Sequence, residues 1–239
     1  MEKIIVAAAQ IELSKDLDIN LKKFLNYLSL AKQKNSSIVV FPETCLYPEF
    51  DGLEKKKLDY LLSQIQTACN KLKIFCVAGA YVKENGLVKN AAYLISSKGE
   101  ILHTHYKTRR WESEAGITCN PASFPVLNTE IGKLGMAICW DISDPNIITH
   151  FRQKGAEIIL CPSWIPPENT SHFAEAVPLG LAFYTDSFII FADSLKENFA
   201  RSCICSPRNF LSRDYDKEVL LIAELDPKNL EEMKSLKAP

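Results

Sequence analysis

Three residues with reactive side chains stand directly after segments that we predict to be strands. Glu43 follows SIVVFP, Lys107 follows ILHTHY, and Cys139 ends the apolar run LGMAI. A thiol needs a base before it can act as a thiolate nucleophile. A carboxylate beside a cation can be that base, and the cation can stabilise the oxyanion that develops on an attacked carbonyl. The three residue types therefore form a complete set for acyl transfer through a cysteine.

Each of these residues also has an ordinary structural explanation. Glu43 could be a carboxylate at a helix N-terminus, Lys107 a surface lysine, and Cys139 a small hydrophobic residue in the core. Their shared position favours function, because loops beyond strand ends of open α/β sheets present side chains on a rigid floor. Sequence spacing alone does not bring the three together.

The elements around these residues alternate between strand and helix in the first 82 residues. Buried strands are predicted at residues 3–9, 37–41 and 74–82, because these are short apolar runs. Apolar residues at helical spacing predict a helix between the first two strands, at Leu21, Phe24, Leu25, Leu28 and Ala31. A second helix before the third strand is predicted from Leu58, Leu61, Leu62, Ile65, Cys69 and Leu72.

The middle of the chain changes character. Turn signals at residues 84–86 and 96–99 predict an antiparallel meander from Tyr81 to Tyr106. A long polar loop follows at residues 108–123, and a second hairpin at residues 124–139 ends at the cysteine.

The last hundred residues return to alternating elements. A helix up to Lys154 precedes a strand at 156–162, a helix around 175–184 and a strand at 187–192, and further strands at 201–206 and 218–225 precede a short helix after Pro227. No repeat or linker divides the chain, so we predict one α/β domain over residues 1–239 with helices outside the sheets. Sheet order does not follow from these patterns.

Composition narrows the class of partner. The 239 residues are 47% hydrophobic and 24% charged with a net charge of −1, which gives no electrostatic footprint for nucleic acid or a membrane surface. No run reaches the roughly 18 apolar residues of a membrane span. We interpret the amino terminus as a strand rather than a signal peptide and expect a cytoplasmic protein.

The cysteines and histidines give little support for a metal site. The eight cysteines are expected to stay reduced in the cytoplasm, and no CxxC pair occurs. Cys203 and Cys205 share one face of a predicted strand, as His103 and His105 share one face of another, but no third ligand is obvious nearby. We expect no metal.

Several blocks resemble the nitrilase superfamily of carbon–nitrogen hydrolases over nearly the whole chain. FPETCLYPEFD resembles its glutamate motif, HYKTRRWESE its lysine motif and GMAICWD its cysteine motif, with GAEIILCPSW, ARSCICSP and EVLLIAELDP as supporting blocks. The resemblance implies a four-layer α–β–β–α sandwich, paired into dimers or higher homo-oligomers through extended sheets. It implies no cofactor and no metal.

The same resemblance implies a mechanism and a set of site residues. Glu43 would be the base and Cys139 the nucleophile that forms a thioester with an amide substrate. Lys107 and the backbone N–H of Trp140 would hold the oxyanion, and Glu114, rather than Glu112, would support the lysine. The implied activity is that of an amidase on a small, linear, non-peptide amide.

The loop after the proposed lysine is the most individual feature. Arg109, Arg110 and Trp111 follow Lys107 closely, and arginine can bind a carboxylate through two parallel hydrogen bonds. One hypothesis is a substrate with a distal carboxylate, with Arg110, Trp111 and Trp164 as substrate-binding residues. The alternative is a solvated loop with internal salt bridges.

The chain departs from the family pattern at several auxiliary positions. Asn146 and Thr149 replace a glutamate and an arginine that usually follow the cysteine motif, and Pro121, Ala200, Asn209 and Tyr184 replace other typical residues. Two alternative functions therefore stay open. One is a catalytically silent relative that binds a metabolite or a partner, and the other is a soluble acyltransferase that uses the same thioester.

Overall fold

A computed structural model describes residues 1–120, 123–166 and 171–236. In that part of the chain the strands are β1 (Ile4–Gln10), β2 (Ser36–Val40), β3 (Phe75–Glu84), β4 (Leu87–Ile95), β5 (Ile101–Tyr106), β6 (Leu127–Thr129), β7 (Gly132–Met136), β8 (Ile158–Ser163), β9 (Phe188–Asp193), β10 (Arg201–Cys205), β11 (Phe210–Tyr215) and β12 (Val219–Leu225). The helices are α1 (Leu17–Gln33), α2 (Lys55–Leu72), α3 (Pro145–Lys154), α4 (Ser171–Thr185) and α5 (Lys228–Leu236). Short 3-10 helices span Glu112–Glu114 and Cys139–Ser143.

The strands form two mixed sheets. The first has the order β12-β1-β2-β3-β4-β5 and the second β11-β10-β9-β8-β7-β6. In each sheet three central strands run parallel, as β1-β2-β3 and as β7-β8-β9, and the strands outside them are antiparallel. Because parallel strands point their carboxyl ends to the same edge, each sheet collects several loops at one place.

The two sheets pack face to face, and helices cover their outer faces. α1 and α2 lie on the first sheet, and α3 packs against α4, which lies on β9 and β10 of the second. Alternation along β1 shows the layering: Val6 and Ala8 join the core between the sheets, whereas Ala7 and Ala9 join the core under α1 and α2. A strand buried on both faces is apolar throughout, as its sequence is. The predicted four-layer α–β–β–α sandwich is confirmed.

Two local details differ from the sequence-based expectations. β11 was not predicted, because its sequence FLSRDY is half polar and its side chains are only partly buried. The strand predicted to end at Cys139 ends at Met136 instead, and Cys139 begins a 3-10 helix.

Within the described residues, no helix combines the length and the apolar character that crossing a bilayer requires. Pro121, which stands where the family pattern typically has a glycine, lies outside the described residues.

Candidate active site

The site lies where strand ends of both sheets meet. Glu43 comes three residues after β2, and its N–H donates to the carbonyl of Ser163, the last residue of β8, at 3.2 Å. This hydrogen bond ties a strand end of the first sheet to a strand end of the second. Lys107 comes directly after β5, and its N–H donates to Asn90 O at 2.9 Å, which continues the pairing with β4.

A buried ammonium joins two buried carboxylates at this edge. Lys107 Nζ donates to Glu43 Oε1 and to Glu114 Oε2, each at 2.7 Å. All three side chains are at most 3% exposed. Buried charges are stable only when they are paired and hydrogen-bonded, and here each carboxylate has several donors.

Two residues that we did not predict complete this network. Asn90 Nδ2 donates to Glu43 Oε1 at 2.7 Å and to Glu114 Oε1 at 3.0 Å, and the Tyr81 hydroxyl donates to Glu114 Oε1 at 3.0 Å. Glu114 also accepts from the N–H of Trp111 at 2.9 Å. A signal for this pair exists in the sequence, because the two-residue turn Asn85-Gly86 sets the hairpin register in which Tyr81 faces Asn90.

Cys139 occupies a strained backbone position beside the network. Its φ of 45° lies in the left-handed region, which is rare for a residue with a side chain and recurs at functional sites. The side chain is 4% exposed, and Sγ donates to the carbonyl of Trp164 at 3.8 Å. The turn from β7 into the 3-10 helix thus holds the sulfur close to the segment after β8.

Asp141 ties the cysteine turn to the lysine segment. Its carboxylate accepts from the N–H of Ile138 at 2.9 Å, from the N–H and hydroxyl of Thr108 at 2.8 Å each, and from the N–H of Arg109 at 2.9 Å. Thr108 and Arg109 donate to Oδ1 of this carboxylate, whereas His105 Nε2 lies 2.9 Å from Oδ2. We call this cluster, Asp141 with its four partner residues, the Asp141 clamp.

The electrostatics of the network keep the Cys139 thiol protonated at rest and increase the proton affinity of Glu43. Burial raises the pKa of Glu43, and the Glu114 charge raises it further, whereas Lys107 and the Cys139 thiol act in the opposite direction. Burial and the Glu43 charge hold the pKa of Cys139 well above its ordinary value. Burial lowers the pKa of Lys107, but the charges around it raise it overall, so the ammonium persists. Burial raises the pKa of Glu114, but the Lys107 charge and its hydrogen bond outweigh this effect, so the pKa lies below the ordinary value and the carboxylate stays charged.

Another buried acid, Asp193, holds the segment after β8 in place. Asp193 at the end of β9 accepts from the N–H of Ile165 and from the N–H of Arg201, both at 2.9 Å. Burial raises its pKa to about 7. The bond to Ile165 holds the segment that carries Trp164.

A small cavity opens above the network. It has a volume of about 130 Å³ and is lined by Glu43, Phe50, Tyr81, Lys107, Trp111, Ser113, Glu114, Trp164, Pro166 and Lys196. Two carboxylates and an ammonium therefore form its polar floor, and aromatic rings form its walls. Such a cavity suits a small ligand with one polar end.

Only two of the three predicted substrate-binding residues line the cavity. Trp111 and Trp164 line the cavity, whereas Arg110 does not and instead donates to the carbonyls of Ala115 at 2.9 Å and Ile117 at 3.3 Å. Arg109 pairs with Asp144 at 2.7 Å. Arg109 thus pairs with the N-cap residue of α3, outside its own loop, whereas Arg110 bonds backbone carbonyls within the loop. The carboxylate site at Arg110 stays a prediction. The Trp140 ring packs edge-on against Trp111, with ring centroids 4.6 Å apart.

The described residues offer no obvious metal centre. Within them no group of three His, Cys, Asp or Glu side chains is arranged to hold an ion. Cys203 and Cys205 are both buried with their sulfurs 3.6 Å apart, and His103 and His105 have ring centroids 6.3 Å apart. The His105 ring is already engaged by Asp141.

The amino-acid sequence is similar to those of carbon–nitrogen hydrolases along nearly its whole length. The sequence profile of the carbon–nitrogen hydrolase family matches residues 5–235. The chain is 22% identical over 264 aligned positions to deaminated glutathione amidase of a Synechocystis species, covering 98% of this chain and 96% of that protein. It is 23% identical over 258 positions to omega-amidase NIT2-A of Xenopus laevis, covering 98% and 92%.

Solved structures share the same fold. The carbon–nitrogen hydrolase of Helicobacter pylori G27 superposes with a TM-score of 0.87 at 22% identity, covering 98% of this chain and 93% of that one. A variant of the amidase from Nesterenkonia sp. AN1, with the acetamide moiety of fluoroacetamide added at its active-site cysteine, superposes with a TM-score of 0.86 at 16% identity, covering 98% and 97%. At these identities the likeness shows the fold.

Proposed function

The chain belongs to the carbon–nitrogen hydrolase family, and from this premise we propose that it hydrolyses the C–N bond of a small linear amide through a thioester on Cys139. One observation carries the proposal: Lys107 Nζ lies 2.7 Å from both Glu43 and Glu114 on the floor of a cavity, next to the strained turn at Cys139. The amidases among the relatives support an amide as substrate.

In the first half-reaction Glu43 accepts the thiol proton, and the Cys139 sulfur forms a bond to the amide carbonyl carbon. The carbonyl electron pair moves to oxygen, and Lys107 with the backbone N–H of Trp140 stabilises this oxyanion. The carbonyl then re-forms, the C–N bond breaks and the nitrogen takes the proton from Glu43. Ammonia departs, and the acyl group remains on Cys139 as a thioester. General-base help is needed because the buried thiol has a raised pKa and stays neutral at rest.

In the second half-reaction Glu43 takes a proton from water, and the water oxygen attacks the thioester carbonyl. The same donors stabilise the second oxyanion. The C–S bond breaks, the sulfur regains its proton from Glu43, and the carboxylic acid leaves. A carboxylate with a raised pKa suits both transfers, because a base works best when its pKa approaches the working pH.

The test is intact mass after acid quench with a panel of small amides. We expect an acyl adduct and ammonia release from the unaltered protein and neither from Cys139→Ala. Cys119→Ala is the matched control, because Cys119 is half-buried and outside the cavity lining, and it should behave as the unaltered protein. Ammonia release that survives in Cys139→Ala would refute the nucleophile.

The same experiment separates the alternatives. Condensed products in the presence of added amines would favour acyl transfer over hydrolysis. No adduct and no ammonia from any amide would favour a catalytically silent protein. We further propose a homo-oligomer in the cytoplasm, where a thiol nucleophile stays reduced.

A further inference from the structure

A second cavity adjoins the first one and shares its rim. This outer cavity has a volume of about 400 Å³ and is lined by residues 13–15, 48–50, 164 and 194–196. Phe50, Trp164 and Lys196 line both cavities, so they form the passage between the inner and the outer one. A substrate that binds its amide in the inner cavity and is longer than this cavity would extend past the rim.

Lys196 is the cation of the rim, and its backbone is held firmly. It begins a two-residue turn in which its N–H donates to Phe199 O at 3.0 Å and its carbonyl oxygen accepts from the N–H of Phe199 at 2.8 Å. The N–H of the preceding Leu195 donates to Ile11 O at 2.9 Å. Its Nζ lies 4.8 Å from the centroid of the Trp164 ring. Among the described residues no carboxylate lies within ion-pair distance of this ammonium, whereas Lys15, on the same cavity, is paired with Glu49.

A buried serine lies two residues before this lysine and lines the same outer cavity. Ser194 is 1% exposed and lines the outer cavity, and its Oγ has no hydrogen-bond partner among the described residues. Most buried polar groups in proteins have a partner, so a hydroxyl without one next to a cavity points to a ligand atom. An ammonium and a hydroxyl together offer donors to a single anionic group.

The charges of the two cavities select where that anion binds. The inner floor holds two carboxylates against one ammonium, so a second anion there is repelled. The described lining of the outer cavity has a net positive charge, because Lys15 and Glu49 neutralise each other and Lys196 adds one more ammonium at the rim. We infer that Lys196 and Ser194 bind a carboxylate at the distal end of a linear amide, with Trp164 as the apolar wall along its chain. This inference rests on the proposed function, and it moves the anion site away from the loop arginines.

The test compares matched amides that differ only in the distal group. Succinamate and glutaramate carry a carboxylate where butyramide and valeramide carry a methyl group. We expect Lys196→Ala to raise KM for the carboxylated amides about tenfold or more, as loss of a hydrogen bond to a charged group predicts, with kcat little changed. KM for the neutral amides should change less than about twofold, since they lack the group that Lys196 binds.

Three further variants sharpen the comparison. Lys196→Arg should restore most of the preference, and Ser194→Ala should raise KM for the carboxylated amides by a smaller factor. Lys22→Ala removes one positive charge from an exposed position on α1 and should leave both substrate classes unchanged. Equal effects of Lys196→Ala on charged and neutral amides would overturn the inference, as would no effect on either.

A binding measurement distinguishes this inference from the proposed function. Glutaramate should bind Cys139→Ala in calorimetry, and adding Lys196→Ala should weaken binding about tenfold or more. If this holds but the unaltered protein releases no ammonia, the anion site stands and the hydrolase proposal fails. If valeramide binds Cys139→Ala as tightly as glutaramate does, the anion site is refuted.

Discussion

At the scale of single residues, the decisive feature is one ammonium between two carboxylates. Lys107 contacts Glu43 and Glu114 at the same distance, yet the surroundings of the two acids differ. Glu114 has three further donors, from Tyr81, Asn90 and Trp111, whereas Glu43 shares Asn90 and lies next to the thiol. The result is a divergence of pKa values, with Glu114 lowered and Glu43 raised. Acids separated in this way can take different roles.

The pH profile of Glu114→Gln tests this division. In the proposed mechanism activity requires deprotonated Glu43, so kcat/KM is expected to fall as the pH drops through its raised pKa. The Glu114 charge raises that pKa, and removing it therefore shifts the acidic limb to lower pH. We also expect kcat to fall about tenfold or more, because Lys107 loses a charged partner.

The control for this prediction lies two residues away. Glu112→Gln makes the same change in the same 3-10 helix at an exposed position, and it should move neither the limb nor kcat. A shift of the limb to higher pH in Glu114→Gln would contradict the division of roles. The acidic limb of the kcat/KM profile reports the titration of the coupled carboxylates together rather than of one residue. The direction in which this limb shifts is therefore the relevant observable.

At the scale of elements, the Asp141 clamp connects two segments that are far apart in the chain, since Asp141 lies 33 residues after Thr108. Asp141 lies in the 3-10 helix that begins at Cys139, and its partners Thr108 and Arg109 directly follow Lys107. The fully buried carboxylate is stabilised in its charged form, because His105 and backbone N–H groups lower its pKa against the effect of burial. The clamp therefore positions the cysteine turn against the lysine segment.

Asp141→Asn should loosen both segments. The amide keeps one acceptor oxygen but turns an NH₂ group towards donors, so buried hydrogen bonds are lost. We expect the free energy of unfolding in urea to fall by about 3 kcal/mol and ammonia release to fall with it.

Asp144→Asn is the matched control, because it makes the same change three residues later. Asp144 caps α3 by accepting from Asn146 N–H and pairs with the half-exposed Arg109, and asparagine is an equally good cap. We expect a loss below about 1 kcal/mol there. Equal losses for both variants would argue against a special role of the clamp.

At the scale of the whole molecule, the two sheets repeat one topology without a repeat in sequence. Each has three parallel strands with antiparallel strands outside them, and the site forms where the end of β2 meets the end of β8. The outer layer at α4 exposes aromatic side chains, with Phe183 43% and Tyr184 57% exposed. Their rings contact each other, with centroids 5.3 Å apart.

Self-association stays a prediction, and α4 is the surface to test. Large exposed aromatic side chains on an outer helix are typical of interfaces. We expect sedimentation velocity at micromolar concentration to give at least twice the mass of the chain. Tyr184→Glu should shift the distribution towards the monomer, whereas Leu87→Glu, an equally exposed apolar position on β4, should not. A monomer in the unaltered protein would refute the prediction.

The amino-acid sequence by itself determined most of the elements and the positions of Glu43, Lys107 and Cys139 close to strand ends. Short apolar runs mark β1, β2 and β3, and apolar residues at helical spacing mark α1 and α2, because each of these elements buries one face or both. Turn residues such as Asn85-Gly86 set hairpin register locally. These signals act over a few residues, which is why Glu43, Lys107 and Cys139 could be placed at strand ends before any contact was known.

Only the tertiary structure decided which side chains meet. Packing of the two sheets brings Ser163 to Glu43 and places Lys196 at the rim, far along the chain from Lys107. The loop arginines looked suited to a carboxylate, but the fold pairs Arg109 with Asp144 at the start of α3 and directs Arg110 to the carbonyl of Ala115. Contacts of this kind depend on the layer geometry as a whole, because a side chain's partners are fixed by sheet order and sheet packing rather than by local periodicity.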